Sequence, residues 1–247
     1  MVKISSSTKK AYTLVELSIV LVIIAIFLSS GLNIFTNNIV QTKTVNTKEK
    51  LNIIYKSLAE HLMTERRLPC PALLATPKDS NSDYGKPDPT SSPCSSTTGI
   101  SAGGVPTIAL HLSNNMAEDD FGNKILYVVD TRLTASPFNV TGFFVNNTFG
   151  NGNITISEYN QQQTEPILLL LSYGANSCGS TKINGQPNVA CNDSNDGTDQ
   201  LANSNNDATF TTTSTHPKFD DVILTKTYYD FLQELNLTQT QAQAYFR

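Results

Sequence analysis

The sequence predicts an α+β fold: one long N-terminal helix, then a head built on a mostly antiparallel β-sheet. Two observations carry this. The residues from Leu17 to Leu28 form an apolar run broken only by Ser18, and a one-sided apolar stripe follows it. Beyond Pro69, short strand-like runs alternate with turn residues, and no second long apolar run occurs.

The helix comes first. Apolar character continues weakly through Gly31, Leu32, Ile34 and Phe35. Val40, Thr44, Leu51, Ile54, Leu58 and Leu62 then recur at spacings of mostly three, four or seven. Lys48, Lys50, Glu60 and Glu65 fall largely on other faces. That is an amphipathic helix with a single apolar stripe. It should end at "RRLPCPA", because Pro69 cannot continue a helix and restricts Leu68. Residues 12–66 as one helix would be about 80 Å long at 1.5 Å per residue. Its first half is apolar all round; its second half needs a head to pack on.

Lys3, Lys9 and Lys10 precede the apolar run and keep the N-terminus cytoplasmic. Three readings fit such a segment: a cleaved signal peptide with small residues at Ser29 and Gly31, an uncleaved anchor, or a leader cut ahead of the apolar run. Glu16 discriminates among them. A carboxylate at the mouth of an apolar helix is costly if charged and unpaired in lipid, and an ordinary signal peptide has no use for it.

The head follows. Lys78 to Thr98, rich in Pro, Ser, Asp and Asn, reads as a loop. Strands are expected at Lys124–Asp130, Gly142–Thr148, Asn153–Tyr159, Pro166–Gly174 and Phe219–Thr227. Short helices are expected at Tyr228–Leu235 and Thr238–Tyr245. The apolar stripe of the long helix should pack on the sheet.

The 4 Cys fall in two local pairs, Cys70 with Cys94 and Cys178 with Cys191, and none has C-x-x-C spacing. An exported head makes them disulfide candidates; four Cys allow three connectivities. The net charge of −4 argues against nucleic acid as a partner of the isolated subunit, since a phosphate-binding surface needs a basic stripe. The 3 His, at His61, His111 and His216, show no clustered spacing, and no G-x-S-x-G, H-E-x-x-H or Walker motif occurs. No catalytic residues are therefore assigned. "CNDSNDGTDQ" offers Asp193, Asn195, Asp196 and Asp199 as candidate calcium ligands. Its spacing is not that of an EF-hand, and a solvated Asn/Asp-rich loop is the preferred reading; no cofactor is required.

"KKAYTLVELSIVLVIIAIF" resembles the N-terminal motif of type IV pilins and type II secretion pseudopilins. The resemblance implies cleavage between Ala11 and Tyr12 by a prepilin peptidase and N-methylation of Tyr12. Glu16 becomes the fifth residue of the mature chain. Ala11 and Tyr12 stand where the family usually has Gly and Phe. "EDDFGNKILYVVD" and "LLLLSYGANSCGS" are similar to two elements of major pseudopilins, with Phe121 for the usual Trp and Asn176 where Asp is common. The implied organisation is a leader at 1–11, a long helix at 12–66 with a transmembrane N-terminal half, and an extracytoplasmic head at 67–247. The implied fold is pilin-like, the partners are other pilin or pseudopilin subunits, and the location is the bacterial inner membrane. The competing expectation is an exported binding protein or enzyme with an ordinary signal peptide.

Physics supplies a reason for Glu16. Cleavage creates a positive amine on Tyr12. Two charges that are each costly in an apolar filament core become tolerable when paired between neighbours, and such a pair also fixes axial register.

Overall fold

The computed structural model describes residues 13–78, 82–90, 93–96, 99–135, 144–145, 148–149, 152–157, 163–188, 190–192, 197–205, 207–212 and 218–245. The chain divides into two compact units, Met1–Thr42 and Lys43–Arg247. Helix α1, Leu14–Glu65, is 52 residues long and contributes to both.

In the second unit α1 buries the face expected of it. Leu51, Ile54, Tyr55, Leu58, Ala59 and Leu62 are all at most 3% exposed, whereas Asn52, Ile53, Lys56 and Glu60 between them are exposed. The stripe starts later than its periodicity suggests. Val40 is exposed, and full burial begins at Thr47, where the loop after Glu118 reaches the helix. At the other end Arg66 takes a left-handed φ of 55°, which turns the chain off the helix before Pro69.

The main sheet has strand order β1-β2-β7-β9, with β1 at Ile100–Gly104, β2 at Leu126–Asp130, β7 at Leu168–Ser172 and β9 at Val222–Lys226. Every pair in it is antiparallel. The two central strands are buried on both faces, which explains their unbroken apolar runs "LYVVD" and "LLLLS". Tyr127 opposite Leu170 and Val129 opposite Leu168 join the core formed with α1. Leu126 opposite Leu171 and Val128 opposite Leu169 join a second core with Ile154, Ile156 and Phe210. The alternation of the pleat thus assigns one strand's side chains to two cores.

The second core is covered by a small sheet of order β6-β5-β8: β5 Thr155–Ser157, β6 Gln163–Thr164 and β8 Thr209–Thr211. Here β5 and β8 run parallel, the exception to the antiparallel pattern among the described residues. Strands β3, Phe144–Val145, and β4, Thr148–Phe149, pair antiparallel, where a single strand was expected over Gly142–Thr148. β1 forms from a glycine-rich sequence at the sheet edge. A Cβ on Gly103 would lie 2.5 Å from the Ala72 carbonyl oxygen, and Ala72 bridges to Gly104 there. Only glycine permits that approach.

Helix α2 is Thr198–Ser204, α3 is Tyr228–Glu234 and α4 is Gln239–Tyr245. α3 packs on α1: the Phe231 ring meets the Tyr55 ring edge-on at 5.1 Å, and the Tyr55 hydroxyl donates to the Asp230 carbonyl at 2.9 Å. Cys70 is joined to Cys94 and Cys178 to Cys191, with Cα–Cα separations of 5.5 and 4.9 Å.

Candidate functional site

The first candidate is the start of α1. Thr13 acts as its N-cap: the Thr13 hydroxyl accepts from the Glu16 N–H at 3.2 Å and the Thr13 carbonyl from the Leu17 N–H at 3.1 Å. Glu16 stands in the first turn, where the helix field favours a negative charge. Among the described residues its carboxylate has no hydrogen-bond or ion-pair partner, and it is exposed. Leu14, Val15, Leu17, Ile19, Val20, Leu21, Val22, Ile23, Ile24 and Ile26 are all between 46% and 87% exposed, so this part of the helix is apolar and uncovered on every side. Among the described residues, no helix is long and apolar enough to cross a membrane. Ala11 and Tyr12, the expected cleavage pair, lie outside the described residues.

A second cluster grips α1 where it enters the second unit. Asp120 receives the Lys50 ammonium at 2.6 Å and the Asn46 amide at 2.9 Å, and its N–H donates to the Thr47 hydroxyl at 3.2 Å. Lys50 also donates to the Glu118 carbonyl at 3.1 Å, and the Lys43 ammonium lies 5.7 Å from the centre of the Phe121 ring. Burial acts to raise the Asp120 carboxyl, but the hydrogen bonds from Lys50 and Asn46 and the charges of Lys50 and Lys43 outweigh it and hold the group below its ordinary value. Residues 43, 46, 47 and 50 share one helical face, so a single loop holds one side of α1.

The same loop is braced from within. The Asp119 carboxylate accepts from the N–H groups of Phe121 and Asn123 and from the Ser172 hydroxyl at 2.6 Å. Burial raises its carboxyl, and those bonds act against the rise. The Asn123 amide donates to the Ser177 hydroxyl at 2.7 Å. The segments "DDFGN" and "SYGANS", distant in sequence, therefore meet.

A polar network that sequence reasoning missed lies beyond this contact. Gln200 and Asn203 of α2 are at most 1% exposed. The Gln200 amide donates to Asp220 at 2.8 Å and to Asp221 at 3.4 Å, and its oxygen accepts from Asn176 at 2.7 Å. Asn203 donates to Asp221 at 2.7 Å. Burial, with the neighbouring Asp220 charge, pushes the Asp221 carboxyl up to about 7 against the hydrogen bonds from Asn203 and Gln200. Adjacent carboxylates in "FDD" were the available signal, but nothing local ties them to two amides of α2.

Of the candidate calcium ligands, Asp193, Asn195 and Asp196 lie outside the described residues, and Asp199 sits in the first turn of α2. Among the described residues no group of three or more His, Cys, Asp or Glu side chains is placed to hold a metal. His61 and His111, far apart in sequence, line one groove with Glu60 and Glu65, while His216 lies outside the described residues. Burial lowers the His61 imidazole, and Glu65 opposes the fall.

Among curated proteins and among solved structures, none matches the chain significantly. Residues 6–32 match the family model described as the prokaryotic N-terminal methylation motif. That interval holds Ala11, Tyr12, Thr13, Glu16 and the uncovered apolar start of α1. By this segment the chain carries a prokaryotic N-terminal methylation motif, consistent with the type IV pilin and pseudopilin family.

Proposed function

We propose that this protein is a pilin-like structural subunit of a type II secretion pseudopilus, with a type IV pilus as the second choice of filament. A prepilin peptidase cuts between Ala11 and Tyr12 and the new Tyr12 amine is methylated. Residues 1–11 are the leader, 12–66 the long helix and 67–247 the extracytoplasmic head. Before assembly the apolar start of α1 holds the subunit in the inner membrane as a single pass with its N-terminus cytoplasmic. In the filament the same helix packs against those of other subunits, and Glu16 meets the Tyr12 amine of a neighbour.

One observation carries the reading: the methylation motif at residues 6–32 coincides with a helix start whose apolar side chains are uncovered and whose Glu16 carboxylate is unpaired among the described residues. An uncovered apolar helix is unfavourable in water, at roughly 25 cal/mol per Å² of apolar surface, so it requires lipid or like helices around it. The pseudopilus is preferred because the two pseudopilin-like segments meet through Asn123 and Ser177.

The test is the mass of the mature chain. A product that begins at Tyr12 and is one methyl heavier supports the proposal. A product that begins near Leu32 has lost Glu16 and sinks it in favour of an exported protein with an ordinary signal peptide. Glu16→Ala should leave processing intact and lower filament incorporation; normal incorporation refutes the register role.

A further inference from the structure

The two disulfides differ in how they can be reached. Cys70 and Cys94 are 1% and 5% exposed, so neither end of that bridge is open to a reagent. In the other bridge Cys178 is 6% exposed, but Cys191 is only half-buried. A thiol attacks a disulfide only through a sulfur it can touch, so Cys191 is the entry point.

This second bridge borders a helix that has little else to hold it. α2 is 7 residues long, and an isolated helix of that length is unstable in water. Its buried residues are the amides Gln200 and Asn203, while Leu201 is 40% exposed. Gln200 sits against the bridge: its Oε1 lies 3.7 Å from Cys178 Sγ and its carbonyl oxygen 3.8 Å from Cys191 Sγ. Asn176 accepts from the Cys178 N–H at 3.1 Å and donates to Gln200 at 2.7 Å. Gly179, next to Cys178, comes so close to the end of α2 that a Cβ on it would lie 2.2 Å from the Ser204 Cβ. Held there, α2 lends Asn203 to the edge of β8. The Asn203 amide donates to the Thr211 carbonyl at 3.0 Å, and its oxygen accepts from the Thr211 N–H at 2.7 Å.

We propose that Cys178–Cys191 is a redox-sensitive latch: its reduction frees α2 from the head while the main sheet and Cys70–Cys94 stay intact. The reductant is a dithiol. One of its thiolates attacks Cys191 Sγ and breaks the bond to Cys178 Sγ, which leaves as a thiolate. The second thiolate closes on the first and releases Cys191. The two protons lost by the dithiol end on the two cysteine sulfurs, and the dithiol becomes a disulfide. With the bridge open, nothing ties the loop to Gln200 from both sides, and α2 loses its hold over Asp220, Asp221 and Thr211. The main sheet keeps its own pairing of β1, β2, β7 and β9. The latch does not depend on the filament reading above.

The experiment titrates the full chain in detergent micelles with dithiothreitol. Alkylation and mass mapping read which cysteines open, and amide exchange reads α2, β8 and β7. Cys178 and Cys191 should open about tenfold faster than Cys70 and Cys94, on access alone. Once they are open, α2 and Thr211 should exchange about tenfold faster with β7 unchanged, and reoxidation should restore the protection. Cys178→Ser combined with Cys191→Ser should show the same exchange in α2 without reductant; if that variant does not fold, the wild-type titration decides. Equal or reversed opening of the two bridges overturns the proposal. So does unchanged exchange in α2, or loss of protection in β7 together with α2, which would make the bridge a staple of the whole head.

Discussion

The Lys50 ammonium lies 2.6 Å from the Asp120 carboxylate, and both side chains are about three-quarters withdrawn from solvent. Lys50 lies on α1 between the buried Thr47 and Leu51. Asp120 belongs to a loop braced by Asp119 against the central strand β7 through Ser172. The ion pair therefore links the helix to the sheet through a rigid loop.

Replacing Lys50 by Met keeps most of the apolar stem and removes the charge. Replacing Asp120 by Asn keeps the shape. A double-mutant cycle of the two, read by urea unfolding, should give a coupling of about 1 kcal/mol, at the upper end for an ion pair with some solvent access. The coupling should shrink in high salt only in part, because the pair is largely withdrawn from water. No measurable coupling would show that the loop is held by Asn46 and Thr47 alone.

The head should lose stability as pH rises, through Asp221. Its carboxyl is raised from an ordinary value of 3.8 to about 7 by burial. A raised folded-state value means that the folded protein binds the proton more tightly. The contribution is fully present below pH about 4 and is lost as pH climbs through about 7. The Asp220 carboxyl is also raised by burial, so it acts in the same direction. The lowered Asp120 acts in the opposite sense, contributing above its unfolded value and losing that contribution as pH falls. Asp221→Asn should flatten the slope between about pH 4 and 7, and amide exchange in α2 should lose its pH response beyond the intrinsic exchange rate. An unchanged slope would place the titration elsewhere.

The two disulfides close loops of different length, with sequence separations of 24 and 13. In the chain-entropy account the longer loop contributes more, by roughly 0.5 kcal/mol, on a base of about 2–4 kcal/mol each. Ser replacements of both cysteines in each pair, compared by thermal unfolding, should rank Cys70–Cys94 as the costlier loss. The reverse order would point to Gln200. It contacts both sulfurs of the second disulfide, so losing that bond would disturb the buried Asp220–Asp221 network as well.

Much of this was readable in the residues, for a physical reason. The stripe from Leu51 to Leu62 obeys helical spacing because one face is buried along its length. β2 and β7 are strongly apolar because both their faces are buried, and the helix expected at Tyr228–Leu235 is present at Tyr228–Glu234. What was not readable depends on partners distant in sequence. β1 is "ISAGG", a weak strand former held by pairing with β2 and by the Ala72 bridge. β8 is three residues long and exists through its parallel pairing with β5. α2, with Gln200 and Asn203 as its buried residues, has no apolar stripe to betray it. At the N-terminal site, the Glu16 carboxylate was legible as part of the motif, whereas the Thr13 cap came from the structure.

The two halves of α1 should respond oppositely to the same substitution. Leu58 is fully buried in the core against the sheet, so Leu58→Ala removes buried methyl groups and leaves a cavity. It should cost about 2–5 kcal/mol in unfolding of the full chain in detergent micelles. Leu21 is 58% exposed on the uncovered part of the helix. Leu21→Ala should leave that unfolding free energy unchanged to within about 0.5 kcal/mol, because Leu21 is exposed. Its effect should appear in filament yield, where apolar contacts between helices would be lost. If Leu21→Ala destabilises the head as Leu58→Ala does, the apolar start of α1 is part of the chain's own core, and a partner helix is not needed to explain its composition.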